Sequence, residues 1–193
     1  MNLGAMDDGP YSDWLLFLRT FGGDSYKTIY EALYMQTGLL QELQETLLRE
    51  IPITRHIGLC VDDYKNEQLI LSAPLAANIN HKQTAFAGSL SGLATLAGWG
   101  RLWLLLREYG IPGKIVIQDS TSSYRRPVES DFVAICQPLN SEQATKIVTA
   151  LERHGKARVE LNVEIRSDDI AAMSFKGRYV MFRDLRLPHG ILA

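Results

Sequence analysis

An α+β protein, in which a six-stranded and mostly antiparallel sheet wraps one long central helix, is what this sequence predicts. Three observations carry the prediction. Residues 84–106 run with a single interior charge, Arg101, over a length typical of a helix and too long for a strand. Downstream of residue 56 the apolar pattern on both sides of that run has a period of two, with turn residues between the repeats. Strands patterned this way build a sheet with one wet and one dry face, and the apolar helix is the cover that the dry face needs.

The 193 residues suffice for one domain with an appended segment, read as a helical extension at 1–50 and a sheet domain at 51–193. "DWLLFLRTF" (13–21) is a short apolar run of no readable purpose. Ser25 is placed to cap a helix in which Ile29, Leu33, Leu39, Leu40, Leu43, Leu47 and Leu48 form an interrupted stripe; Gly38 is a break point and Pro52 marks the end. "HIGLCVDDY" puts Ile57, Leu59 and Val61 on one strand face, and "EQLILSAPL" returns after a turn at Lys65 and Asn66. The central helix spans about 86–109 and stops at Gly110 and Pro112. "KIVIQDSTSSYRRP" and "DFVAICQPL" predict two long strands joined by a tight turn around Pro127 to Ser130. Ser141 caps a short helix through His154, with Ala144, Ile147, Val148 and Leu151 on its apolar face and Gly155 at its end. In "KARVELNVEIR", Ala157, Val159, Leu161, Val163 and Ile165 alternate with polar residues, and "SDD" (167–169) turns the chain into "IAAMSFKGRYVMF".

Composition narrows the function classes. A formal charge of −2 gives no bulk attraction to nucleic acid or to anionic membrane, so an anionic ligand must meet a local basic patch. Cys60 and Cys136 lie far apart, outside any metal-ligand spacing, and are expected to be buried thiols; no metal is implied. "MNLGAMDDGP" carries two acids and no basic run before an apolar segment, which makes a cytoplasmic location the expectation. Residues 84–106 are long enough to be weighed as a membrane span. Arg101 and four glycines (Gly88, Gly92, Gly98, Gly100) favour a buried helix instead. Together with Ser91 and Thr95 these small residues let the helix backbone approach the sheet or a partner closely.

The segments "NINHKQTAFAGSLSGLATLAGWG" (78–100) and "IVIQDSTSSYRRPV" (115–128) resemble the putative-thioesterase family of the hotdog fold, the domain that in some bacterial proteins follows an acetyltransferase domain. The resemblance covers about residues 40–183, and "YRRPVESDF" (124–132) is similar to a run common in hotdog acyl-thioester enzymes. It implies an enzyme of fatty-acid metabolism acting on acyl-CoA or an acyl carrier protein, with no cofactor beyond the CoA or phosphopantetheine of the substrate. It also implies a homodimer or dimer of dimers, sheets joined edge to edge, and a reaction centre at the start of the central helix. Malonyl-thioester decarboxylation is linked to the same family, and a silent acyl-binding module is a third expectation.

Where the resemblance places the site, residue chemistry supplies candidates. Amides at a helix start lack intrahelical partners and sit at the positive end of the dipole, so those of Ala87 and Gly88 suit a thioester oxygen that gains charge. Gly88 is equally explained by packing against a strand. Asn80 stands six residues before Phe86, the spacing at which related thioesterases keep an Asn before a His-Gly-Gly; here that tripeptide is Phe86-Ala87-Gly88. A turn role for Asn80 weighs as much. Thr95 stands where those enzymes carry an Asp or Glu; its other role is to bond back to the preceding turn. His81, Lys82, Phe86 and Ser91 are candidate substrate contacts. Asp119, if it faces inward, needs a partner such as His81 or an arginine. Arg125 and Arg126, side by side on a strand, would face opposite ways, one toward a phosphate and one toward an acid.

Overall fold

A computed structural model describes the backbone of residues 24–184 and the side chains of residues 37–184. Contacts divide the chain into two compact units, Met1–Leu39 and Leu40–Ala193. The first helix, α1 (Asp24–Glu50), crosses that boundary, and Gly38 does not split it. "DWLLFLRTF" and the side chains of Ser25, Ile29 and Leu33 lie outside the described residues.

Within the second unit a short helix α2 (Ile53–His56) leads to β1 (Cys60–Lys65) and β2 (Gln68–Ala73). A 3-10 turn (Leu75–Ala77) then precedes the central helix α3 (Ala87–Glu108). After it come β3 (Gly113–Tyr124), β4 (Phe132–Cys136), α4 (Ser141–His154), β5 (Lys156–Ser167) and β6 (Ile170–Arg183). The six strands form one antiparallel sheet in the order β1-β2-β4-β5-β6-β3. This is the sheet-around-a-helix architecture that the sequence predicts.

Four local expectations are corrected. β1 begins at Cys60, not at His56, because Thr54 Oγ1 donates to the carbonyls of Leu47 and Ile51 and winds residues 53–56 into a helical turn. Gly58, at φ +66, then redirects the chain. The hairpin turn is Asn66-Glu67, both at positive φ, the pairing that matches strand twist. Asn140, not Ser141, caps α4, through a reciprocal box with Gln143. Cys60 is exposed; Cys136 alone is buried, and loss of solvation pushes its thiol up to about 12 despite the opposing pull of Arg101.

The largest correction concerns β3 and β4, which do not pair. Instead β3 runs along the outer side of β6, from Gly113↔Arg183 to Tyr124↔Met173, while β4 sits between β2 and β5. Residues 125–131 are therefore a crossover from the sheet edge to its interior, and no tight turn. The physical reason lies in β6, whose 14 residues are long enough to pair with β5 on one side and with β3 on the other.

Burial of α3 is graded. Its first residues are exposed, whereas Arg101 to Leu106 are all buried. Gly98 lets the buried Tyr179 ring lie against the helix, and Tyr179 Oη donates to the Thr95 carbonyl at 2.8 Å. Near Gly100 the side chains of Leu69 and Leu43 close in, so residues 40–50 of α1 pack on the second half of the central helix. Gln44 of α1 borders the edge of β1: its amide donates to the Leu59 carbonyl and accepts from the Val61 N–H. Among the described residues no helix is long and apolar enough to cross a membrane.

Arg101, the charge that interrupts the apolar run, is 1% exposed. Its Nε donates to the Glu67 carbonyl (3.0 Å), Nη2 meets Glu67 Oε2 (2.8 Å), and the Tyr64 ring stacks 5.3 Å below. Nη1 is buried without a partner. The helix thereby grips the strained hairpin turn by its only acid. Glu67→Ala should leave that guanidinium short of a counter-charge and destabilise by about 2 kcal/mol, less than a fully buried pair because Glu67 is half exposed. Urea unfolding measures it; a loss below about 0.5 kcal/mol contradicts the assignment.

Candidate functional site

The helix start is delivered by a loop that satisfies itself. Asn80 Nδ2 donates to Thr84 Oγ1 (3.0 Å) and to the Ala85 carbonyl (3.1 Å), while its Oδ1 accepts from the Lys82 N–H (2.7 Å). Both ends of the Asn80 amide are thus used inside residues 80–85. Asn78, which the sequence reading missed, does comparable work underneath. It is buried, donates to the carbonyls of Ile57 (2.9 Å) and Pro74 (2.8 Å), and its own carbonyl accepts from the Phe86 N–H (2.7 Å). The composition of the loop contains no signal that distinguishes Asn78 from Asn80.

Phe86 is the N-cap residue of α3, in an extended conformation (φ −65°, ψ 130°), and no side chain caps the helix. The N–H groups of Ser89 and Leu90 both turn to the Phe86 carbonyl (2.9 and 3.1 Å), whereas those of Ala87 and Gly88 have no acceptor within the helix. The Phe86 ring is exposed and folds over Gly88, where an added Cβ would collide with ring carbon Cε1. Close approach at Gly88 is therefore used by the chain's own Phe86, and not by a strand.

Ala87 faces an open groove of about 340 Å³. Its lining joins two loops and the strand end: Ala85, Ala87 and Leu90 on one side, Tyr124, Arg125, Arg126 and Val128 on the other. The two loops are tied by the Ala85 N–H donating to the Val128 carbonyl at 2.8 Å. Tyr124, the last residue of β3, donates its hydroxyl to the Ala87 carbonyl at 3.2 Å. Sequence reasoning singled out its neighbours and passed over Tyr124; the "YRRP" run was the available signal.

Arg125 and Arg126 do not alternate across a strand, because β3 has already ended. Both amides face the carbonyl of Ala172 (2.8 and 3.4 Å), both side chains are exposed, and both border the same groove. His81 and Lys82 are exposed on the adjoining loop. Thr95 Oγ1 donates to the Ser91 carbonyl (2.8 Å) and Ser91 Oγ to that of Gly88 (3.2 Å), so each hydroxyl bonds back along the helix. Asp119 faces outward: it pairs with Arg178 at 3.1 Å, displaced by the bulge between Ile117 and Asp119. Five residues of strand, roughly 17 Å, separate it from Tyr124. The structure thus brings Ala87, Arg125 and Arg126 together with Tyr124, and keeps Asp119 and Thr95 out of the groove lining.

What this arrangement offers chemically is a set of donors without a base. A phenol, two arginine side chains and the first residue of α3, whose N–H has no intrahelical acceptor, border one cleft, and the lining holds no carboxylate, imidazole or thiol.

Residues 40–183 match the family model described as "Putative thioesterase (yiiD_Cterm)". Among solved structures, a putative thioesterase from Shewanella oneidensis is 33% identical, with 75% of this chain and 97% of that one covered at a TM-score of 0.69. A protein of unknown function from Chlorobaculum tepidum is 32% identical, covering 77% and 97%, at a TM-score of 0.75. A thioesterase from Haemophilus influenzae, 17% identical with 78% and 94% covered at a TM-score of 0.61, shares the fold. The family match begins at residue 40, within α1, and it ends with β6. With the six-stranded sheet, the central helix and these matches in hand, the chain belongs to the putative-thioesterase family of hotdog-fold proteins.

Proposed function

We propose that the protein hydrolyses an acyl thioester of coenzyme A or of a carrier protein at the start of α3. The observation that carries this reading is an uncapped helix N-terminus opening, through Ala87, onto a groove bordered by two arginines. As water attacks, the thioester oxygen gains charge, and first-turn amides stabilise it in the transition state more than in the ground state. The groove lies in the size range of small-molecule sites. Arg125 and Arg126 hold the phosphates of the carrier group, with Lys82 and His81 on the neighbouring loop.

A homodimer joined through β3 suits this chemistry. β3 is a 12-residue edge strand whose outer side pairs with no strand among the described residues, and Val116 and Ile117 lie exposed on it. Such an edge invites pairing with a second copy. The join would border the groove at Tyr124.

Decarboxylation of a malonyl thioester is the second reading, favoured by the same lining. It needs an oxyanion pocket but no group to deprotonate water before the carbon–carbon bond breaks. Acetyl-, hexanoyl- and malonyl-CoA separate the readings. Free thiol supports the hydrolase, carbon dioxide with an intact thioester supports the decarboxylase, and neither product leaves a binding module. Replacing Arg125 and Arg126 together by Gln is expected to raise KM for the active thioester about tenfold with kcat within twofold, a loss of roughly 1.4 kcal/mol in binding. Steady-state kinetics at low salt, where exposed charges act most strongly, is the check.

A further inference from the structure

We propose that Tyr124 is a second donor to the thioester oxygen, acting beside the helix amides; the idea rests on the reading of the groove as a thioester site. Its ring is half exposed in the groove wall, and its hydroxyl lies 3.2 Å from the Ala87 carbonyl. That bond is long for O–H···O, where about 2.7–2.8 Å is usual. Ala87 is moreover the first residue of α3, so its carbonyl also takes part in the helical ladder, accepting from the amide four residues on. The phenol proton therefore rests on an acceptor that does not depend on it.

Within one residue the amide nitrogen and carbonyl oxygen are at most about 4 Å apart, so the Tyr124 oxygen lies within about 7 Å of the Ala87 nitrogen. Two donors that share one oxygen, each about 3 Å from it, stand up to about 6 Å apart. An oxygen held by the Ala87 N–H lies on the N-terminal side of α3, so the half-exposed ring swings away from the Ala87 carbonyl in that direction to share it. The strand end gives the swing a fixed pivot, since Tyr124 pairs with Met173 and the next amide, Arg125, donates to Ala172. When substrate enters, the hydroxyl leaves the Ala87 carbonyl for the thioester oxygen, with no net proton transfer: it donates a hydrogen bond that strengthens as that oxygen becomes negative.

Tyr124→Phe keeps the ring and removes only the donor. In full-length protein, kcat for thiol release from the best acyl-CoA probe should fall 10- to 100-fold. KM should stay within twofold and the thermal midpoint within about 2 °C, because the abandoned carbonyl keeps its ladder partner. A purely structural Tyr124 would instead lower the midpoint or raise KM and leave kcat alone. Wild-type turnover with a Tyr124→Phe kcat within threefold overturns the role of Tyr124 and leaves the thioester reading standing. Wild-type protein that releases no thiol from any probe removes both.

Discussion

Ala87→Pro is expected to reduce thiol release by about 10²- to 10³-fold while the protein stays folded, the loss seen when a single oxyanion donor is removed. The substitution deletes one backbone N–H and little else. Proline is well accommodated at the first helical position, where the amide has no intrahelical acceptor in any case. It also demands an extended preceding residue, and Phe86 already has φ −65° and ψ 130°. The proline ring takes the place of the amide hydrogen. Ala87→Ser, which keeps the N–H, should retain turnover within a few fold. The comparison is made on kcat, with circular dichroism to verify the helix. An Ala87→Pro protein that turns over like its parent would falsify the oxyanion role of this amide.

The largest expected effect on stability belongs to Gly98→Ala. A Cβ at position 98 would overlap the Tyr179 hydroxyl and sit 2.6 Å from its Cζ. Tyr179 is fully buried and cannot step aside, because the ring is confined on another side by Gly177, where a Cβ would lie 2.9 Å from Cε2. Displacing it also breaks the bond from its hydroxyl to the Thr95 carbonyl and strands a buried donor. Burial already holds the Tyr179 phenol far above its usual titration range, so ionisation offers no escape. Overpacking and the lost bond together should cost about 3–4 kcal/mol, or roughly 10 °C of thermal midpoint for a domain of this size. Tyr179→Phe removes the overlapping oxygen, so in its background Gly98→Ala should cost clearly less; a strictly additive pair argues against the clash.

Gly98 and Gly88 illustrate how far the residues themselves speak. The spacing of small residues on the apolar helix showed that something approaches closely, which is a one-dimensional pattern. What approaches differs at each position: Tyr179 at Gly98, Phe86 at Gly88, the side chains of Leu69 and Leu43 at Gly100, and nothing within 4 Å at Gly92. Arg125 and Arg126 carry the same lesson. Their adjacency predicted opposite faces because the strand was extended through them; the structure ends β3 at Tyr124, before both, and sets both along one groove. Hydrogen bonds to the Ala172 carbonyl, 47 and 46 positions away in the chain, decide that ending.

The amino-acid order alone determined the elements whose cause is local: the central helix, the alternating β5, and the turns at Asn66 and Asp168, each set by periodicity or by residues that tolerate positive φ. Tertiary structure alone decided the neighbours not joined by a hairpin, β2 with β4, β4 with β5 and β6 with β3, and so that residues 125–131 cross the sheet end and reach the helix start. Strand pairing is a long-range choice among edges of similar pattern, settled by lengths and by which faces can be buried at once. That choice, rather than any motif, sets Tyr124 against Ala87.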